Sequence, residues 1–116
     1  MNKTFVLSAL ALSSTLAFAH AKLQASTPAS GAVVSPAPAE LRLHYDEPVE
    51  AAMSSIRLLG ADDKVIATAR IAADPSDEKS LVQALPKLAP GDYRAQWSTM
   101  GHDGHHVKGE IRFTVK

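Results

Sequence analysis

Three runs of apolar residues at period two constrain this chain more than anything else in it. Leu41, Leu43 and Tyr45 alternate with Arg42, His44 and Asp46. Tyr93, Ala95, Trp97 and Thr99 share one phase, as do Val107, Gly109, Ile111, Phe113 and Val115. That alternation is the pattern of strands buried on one face. Between the runs lie turn signals: Gly60-Ala61-Asp62-Asp63 inside a hairpin formed by Ile56, Leu58 and the segment from Val65 to Ile71, and Pro90-Gly91-Asp92 before the Trp97 strand. Lys22 to Ser26 reads as a first, edge strand, and Leu81 to Leu85 as another short one. No stretch after residue 20 has the period of an amphipathic helix. About seven short strands with turns between them predict an all-β fold, a seven-stranded antiparallel Greek-key sandwich or barrel, cupredoxin-like or immunoglobulin-like. The loop Ser35-Pro36-Ala37-Pro38-Ala39 is too short to separate domains and leads into a strand.

The first segment is of another kind. Lys3 is followed by an apolar run from Phe5 to Leu16 and by Ala17-Phe18-Ala19, a small-residue cleavage pattern. The run is shorter than the roughly 20 apolar residues of a membrane span, so residues 1–19 are expected to be an export signal that is removed. Cutting after Ala19 takes 19 of the 116 residues and leaves a single domain of 97, residues 20–116. It removes one of the 12 basic residues, leaving 11 against 12 acidic ones. Such a balance argues against nucleic acid and anionic membranes as partners. The chain has no cysteine. An exported domain of this kind must rest on its core, and a metal site in it must use His, carboxylate, Met or the amino terminus.

The cut would make His20 the first residue. Its α-amine and its imidazole Nδ1 can then close a six-membered chelate ring on one ion, since an α-amino group of pKa about 8 yields its proton to a metal near neutral pH. A second candidate is His102-Asp103-Gly104-His105-His106. In an extended segment Asp103 and His105 would lie on one side, about 6.6 Å apart along the strand. Asp-Gly is equally a hairpin-turn signal, and a turn at the end of a sandwich is where such a site would lie. Glu47 shares the phase of Leu41, Leu43 and Tyr45, and is expected to point inward where Pro48 ends the ladder. His44, in the opposite phase, is expected to face solvent. Met53 and Met100 are too few and too far apart for a thioether Cu(I) site, and one or both read as packing residues. A terminal amine, two imidazoles and a carboxylate favour Cu(II) in tetragonal geometry, with Zn(II) able to use the same donors.

These motifs together resemble the CopC/PcoC family of periplasmic copper-binding proteins over the whole mature length. The resemblance rests on His-Ala-Lys-Leu (20–23), Ser-Thr-Pro-Ala-Ser-Gly (26–31), Leu-Arg-Leu-His-Tyr-Asp-Glu (41–47), Leu-Ala-Pro-Gly-Asp-Tyr-Arg-Ala-Gln-Trp (88–97), Asp-Gly-His (103–105) and Gly-Glu-Ile-Arg-Phe-Thr-Val (109–115). It implies one Cu(II) per chain, bound at one end of the barrel by His20, Asp103 and His105, with Glu47 as a peripheral carboxylate. His102 and His106 are not ligands in the family and are expected beside the site or in solvent. The region from Met53 to Ala73 has one methionine and no histidine, unlike members with a methionine-rich Cu(I) loop, so the resemblance is to the Cu(II)-only type. The expected function is that of a periplasmic, monomeric carrier or buffer in copper resistance, homeostasis or uptake, with an inner-membrane transporter of CopD type as partner and no catalysis. Two other readings stand beside it: a copper histidine-brace monooxygenase and a sandwich module that binds no metal.

Overall fold

The computed structural model describes residues 21–116; the expected export signal and His20 lie outside them. Among the described residues nine strands form two facing sheets. The first sheet contains β1 (Leu23–Thr27), β3 (Glu40–Tyr45), β6 (Ala72–Asp74) and β7 (Asp77–Ala84), in the order β1-β3-β7-β6. The second contains β2 (Ala32–Val34), β4 (Ser55–Leu59), β5 (Val65–Ile66), β8 (Gly91–Met100) and β9 (His106–Val115), in the order β2-β9-β8-β4-β5. Neighbours are antiparallel except β2, which runs parallel to β9.

The period-two runs became the faces that meet. Leu41, Leu43 and Tyr45 from the first sheet are fully buried against Ala95, Trp97, Ile111, Phe113 and Val115 from the second. Burial of a side chain of this size contributes about 1.5–3 kcal/mol, so a dozen of them hold a domain without disulfides. Tyr45 ties the sheets together. Its ring meets Trp97 edge-on at 5.5 Å between centroids, and its hydroxyl lies 2.6 Å from Thr99 Oγ1 on the facing strand.

The sandwich departs from a seven-stranded, wholly antiparallel one in two places. After β1 the chain crosses to the far edge of the second sheet, where the Gly31 N–H donates to the Arg112 carbonyl at 2.6 Å. Gly31 has φ +85°, a conformation that an L side chain rarely adopts. The three residues beyond it add β2 along β9 in parallel. The arm expected from Val65 to Ile71 also divides. Only Val65 and Ile66 pair with β4; the chain then leaves that sheet, and Ala72–Asp74 pair with β7 in the other. Segments of two or three residues are too short for alternation to mark them.

Candidate metal centre

One end of the sandwich gathers residues from three distant parts of the chain. The Lys22 N–H donates to Asp46 Oδ1 at 2.6 Å, and the Asp46 N–H returns a bond to the Lys22 carbonyl at 2.9 Å. Val49 forms an isolated antiparallel bridge with Gly101. Ala21, the first described residue, is only 2% exposed. Its Cβ lies where a Cβ on Gly101 would meet it at 3.6 Å. The start of the described chain is therefore packed against the loop 101–105 that joins β8 to β9.

That loop carries Asp103 and His105. It is a tight turn rather than an extended segment: the Gly101 N–H donates to the His105 carbonyl at 3.1 Å, the Gly104 N–H to the Gly101 carbonyl at 3.0 Å, and Gly104 has φ +82°. The expectation that the pair is spaced along a strand is corrected here, because the ladder stops at Met100 and His106. The turn still puts the two side chains together. The His105 N–H donates to Asp103 Oδ1 at 3.0 Å, and His105 Nδ1 lies 3.1 Å from Asp103 Oδ2. His105 Nδ1 and the Asp103 carboxylate thus face one another, so an imidazole nitrogen and a carboxylate oxygen are presented side by side. Both side chains reach solvent, His105 at 57% and Asp103 at 36% exposure, which suits a site that takes up and gives up an ion.

Glu47 lies at the same end, past the ladder from which its phase was read. β3 ends at Tyr45, and Asp46 turns to pair with Lys22. Glu47 thus falls beyond the ladder, half-buried, between a residue tied to Lys22 and one bridged to Gly101. His44 is on the outer face of its sheet as expected, where its Nδ1 lies 2.8 Å from Ser80 Oγ and 3.1 Å from Asp77 Oδ2. The Ser80 hydroxyl and the Lys79 N–H hold the Asp77 carboxyl below its usual range. Among the described residues no three His, Asp or Glu side chains are grouped so as to hold a metal.

Two features had no signal in the sequence. His102 is exposed, as expected, but it is not unattached, for its Nε2 pairs with Glu50 Oε1 at 3.1 Å. Glu50 stands at the start of a single 3-10 turn, Ala51–Met53, whose position no periodicity announces. Met53 is not a packing residue, being 56% exposed on that turn.

The CopC domain model matches residues 23–116. The chain belongs to the CopC family. Copper resistance protein C of Xanthomonas campestris pv. juglandis is 39% identical to it over 119 residues, covering 97% of this chain and 93% of that one. The crystal structure of CopC from Methylosinus trichosporium OB3b superposes with a TM-score of 0.79 at 29% identity, covering 84% of this chain and 94% of that one. PcoC from Escherichia coli, described as a methionine-rich copper resistance protein, superposes with a TM-score of 0.74 at 30% identity, over 84% of this chain and all of its own. The fold is thus the cupredoxin-like CopC sandwich. CopC proteins bind copper, are typically periplasmic and are not catalysts, so the monooxygenase reading falls.

Proposed function

We propose that the mature protein is a periplasmic Cu(II) carrier or buffer that holds one ion per chain. In this reading the ligands are the α-amine and imidazole of His20, His105 and Asp103, with Glu47 peripheral. Copper is cargo, so nothing is transformed; the chain's task is to hold donors of the right kind in reach of one another. The observation that carries the reading is the burial of Ala21 against Gly101. A residue joined directly to Ala21 starts within side-chain reach of Asp103 and His105, and their N,O donor set suits Cu(II).

The hairpin turn at the opposite end, between β4 and β5, contains no methionine or histidine, which supports the Cu(II)-only type so far as that end is concerned. The absence of net charge excess and the small exposed site fit a soluble monomer that passes its ion to a membrane transporter of CopD type. Removal of residues 1–19 then completes the site, because the precursor has the His20 imidazole but no free amine there. Binding weakens in acid, as amine, imidazole and carboxylate take up protons in competition with the metal.

The test is a Cu(II) titration of protein beginning at His20 beside protein with one extra residue before it. The extension is expected to lower affinity by at least tenfold and to change the EPR spectrum. Unchanged affinity and spectrum would falsify the terminal chelate.

A further inference from the structure

The loop 101–105 sits at the tip of the β8–β9 hairpin, and that tip outruns the strands beside it. β4 pairs with β8 only as far as Ser55 opposite Ser98, and β2 pairs with β9 only at its other end, from Phe113 to Val115. Among the described residues no strand continues alongside the last rungs, Thr99 with Val107 and Met100 with His106. The bonds made by the Gly101, Gly104 and His105 N–H groups stay within the loop. They fix its shape, but not its place on the sandwich.

The segment before β4 takes the missing strand's place. Continued past Ser55, the β4–β8 register would set Ala52 opposite Gly101; the residue found there is Val49. The 3-10 turn Ala51–Met53 loops out the three residues of difference, and the chain behind it pairs in the same antiparallel sense. The Glu50 N–H donates to the Met100 carbonyl at 2.8 Å, and the buried Val49 donates its N–H to the carbonyl of Glu78 on the opposite sheet at 3.1 Å. Looping out the turn leaves a gap beside the Met100 N–H, and Ser54 fills it. Its Oγ accepts from that N–H at 3.1 Å and donates to the Glu50 carbonyl at 2.7 Å. One hydroxyl closes both sides of the gap, which takes a donor and an acceptor on a short side chain. Glu50 in turn reaches His102, the residue before Asp103, with Oε1 at 3.1 Å from Nε2.

We propose that Ser54, with Glu50, is a positioning residue for the Cu(II) site: it holds no ion, and it sets where the loop carries Asp103 and His105 relative to the start of the chain at Ala21. The inference rests on the Cu(II) reading above. Groups that support metal ligands from outside typically govern affinity by about 10–100-fold, because donors already held in place lose less freedom on binding. Ser54 is the stronger of the two supports. The Glu50–His102 pair is exposed on both sides, and such pairs are worth little. Removing the Ser54 hydroxyl instead strips a part-buried N–H of its acceptor.

Wild-type protein beginning at His20 is compared with Ser54→Ala, Ser54→Thr and Glu50→Gln, by amide hydrogen exchange without copper and by Cu(II) titration with EPR. In Ser54→Ala the Gly101 and His105 amides are expected to exchange at least tenfold faster while Ala95, in mid-sheet, keeps its rate. Cu(II) affinity is expected to fall about tenfold, with an altered EPR spectrum. Ser54→Thr keeps the hydroxyl and is expected to restore both. Quickening shared by Ala95 would limit Ser54 to overall stability, and unchanged Cu(II) affinity and spectrum would show that the loop needs no such support; either overturns the proposal. Should Ser54→Ala fail to fold, Glu50→Gln at the surface decides: a fall in affinity of about threefold supports the proposal and no change overturns it. Failure of the copper reading itself is told apart, because Cu(II) binding would then be missing with Ser54 intact.

Discussion

Tyr45 shows how one side chain can serve core and cross-link at once. Burial pushes its phenol up to about 12, against the smaller opposing effect of the Thr99 hydroxyl. The folded state therefore holds this proton more tightly than the unfolded chain, whose tyrosines titrate near pH 10. Below about pH 10 both states are protonated and the stabilisation is complete; between about 10 and 12 only the unfolded state ionises, and about 1.4 kcal/mol is lost per pH unit. Tyr45→Phe is expected to cost about 1 kcal/mol at neutral pH through the lost hydrogen bond, and to flatten the alkaline fall of the melting temperature. Melting curves from pH 8 to 11.5 for both proteins check this; parallel curves would assign the alkaline loss to another group. Gly109 answers Trp97 in a similar way. A Cβ at that position would sit inside the indole ring, so the last strand carries no side chain opposite the largest residue of the core.

Between elements, ion pairs do what hydrophobic faces cannot, since they link strands on the solvent side. Arg42 on β3 reaches over β7 to Asp74 on β6, with Nη1 2.5 Å from Oδ2. The other carboxylate oxygen accepts from the N–H and hydroxyl of Ser76 at 2.9 and 2.7 Å, closing the β6–β7 hairpin. Arg42, and then these Ser76 bonds, bring the Asp74 carboxyl down to about 2. Its stabilisation is thus whole above the ordinary carboxylate range near pH 4 and is lost as pH falls towards 2. Asp74→Asn is expected to remove that part of the acid limb, read as a shallower fall of melting temperature between pH 4 and 2.5. An acid limb of unchanged slope would show that Asp74 does not couple to folding. The strands themselves were legible to different degrees. Leu41 to Tyr45 and Tyr93 to Thr99 alternate long enough to declare both strand and face. Val33 and Ala73 sit in three-residue strands, whose membership depends on which edge the crossing chain meets.

At the scale of the molecule, the feature that matters most is that the chain's beginning returns to its last hairpin. Ala21 fills the space beside Gly101, and a Cβ on Gly101 would come within 3.0 Å of Asp103 Oδ1. Gly101→Ala is therefore expected to displace the Asp103 carboxylate and to press on Ala21. On the proposed reading Cu(II) affinity falls by about tenfold or more, as when the support of a metal ligand is removed, while the melting temperature changes by only a few degrees. Isothermal titration with Cu(II) alongside thermal unfolding separates the two effects. A variant that keeps full affinity would mean that neither Asp103 nor the terminus bears on the ion.

By itself the sequence determined the all-β class and the inward faces of the long strands, because period two is a local property; at Asp103-Gly104 it offered a turn and an extended segment alike. It also carried the family motifs, read in order. What only the tertiary structure decided was proximity. Ala21 against Gly101 and Glu50 on His102 join residues tens of positions apart, and each depends on which strand lies beside which. Glu47 shows the limit from the other side: its phase predicted an inward carboxylate, but the ladder that gives phase its meaning had ended at Tyr45. Alternation tells which way a side chain points only while a neighbouring strand holds the backbone flat; beyond that, packing of the whole chain sets its place.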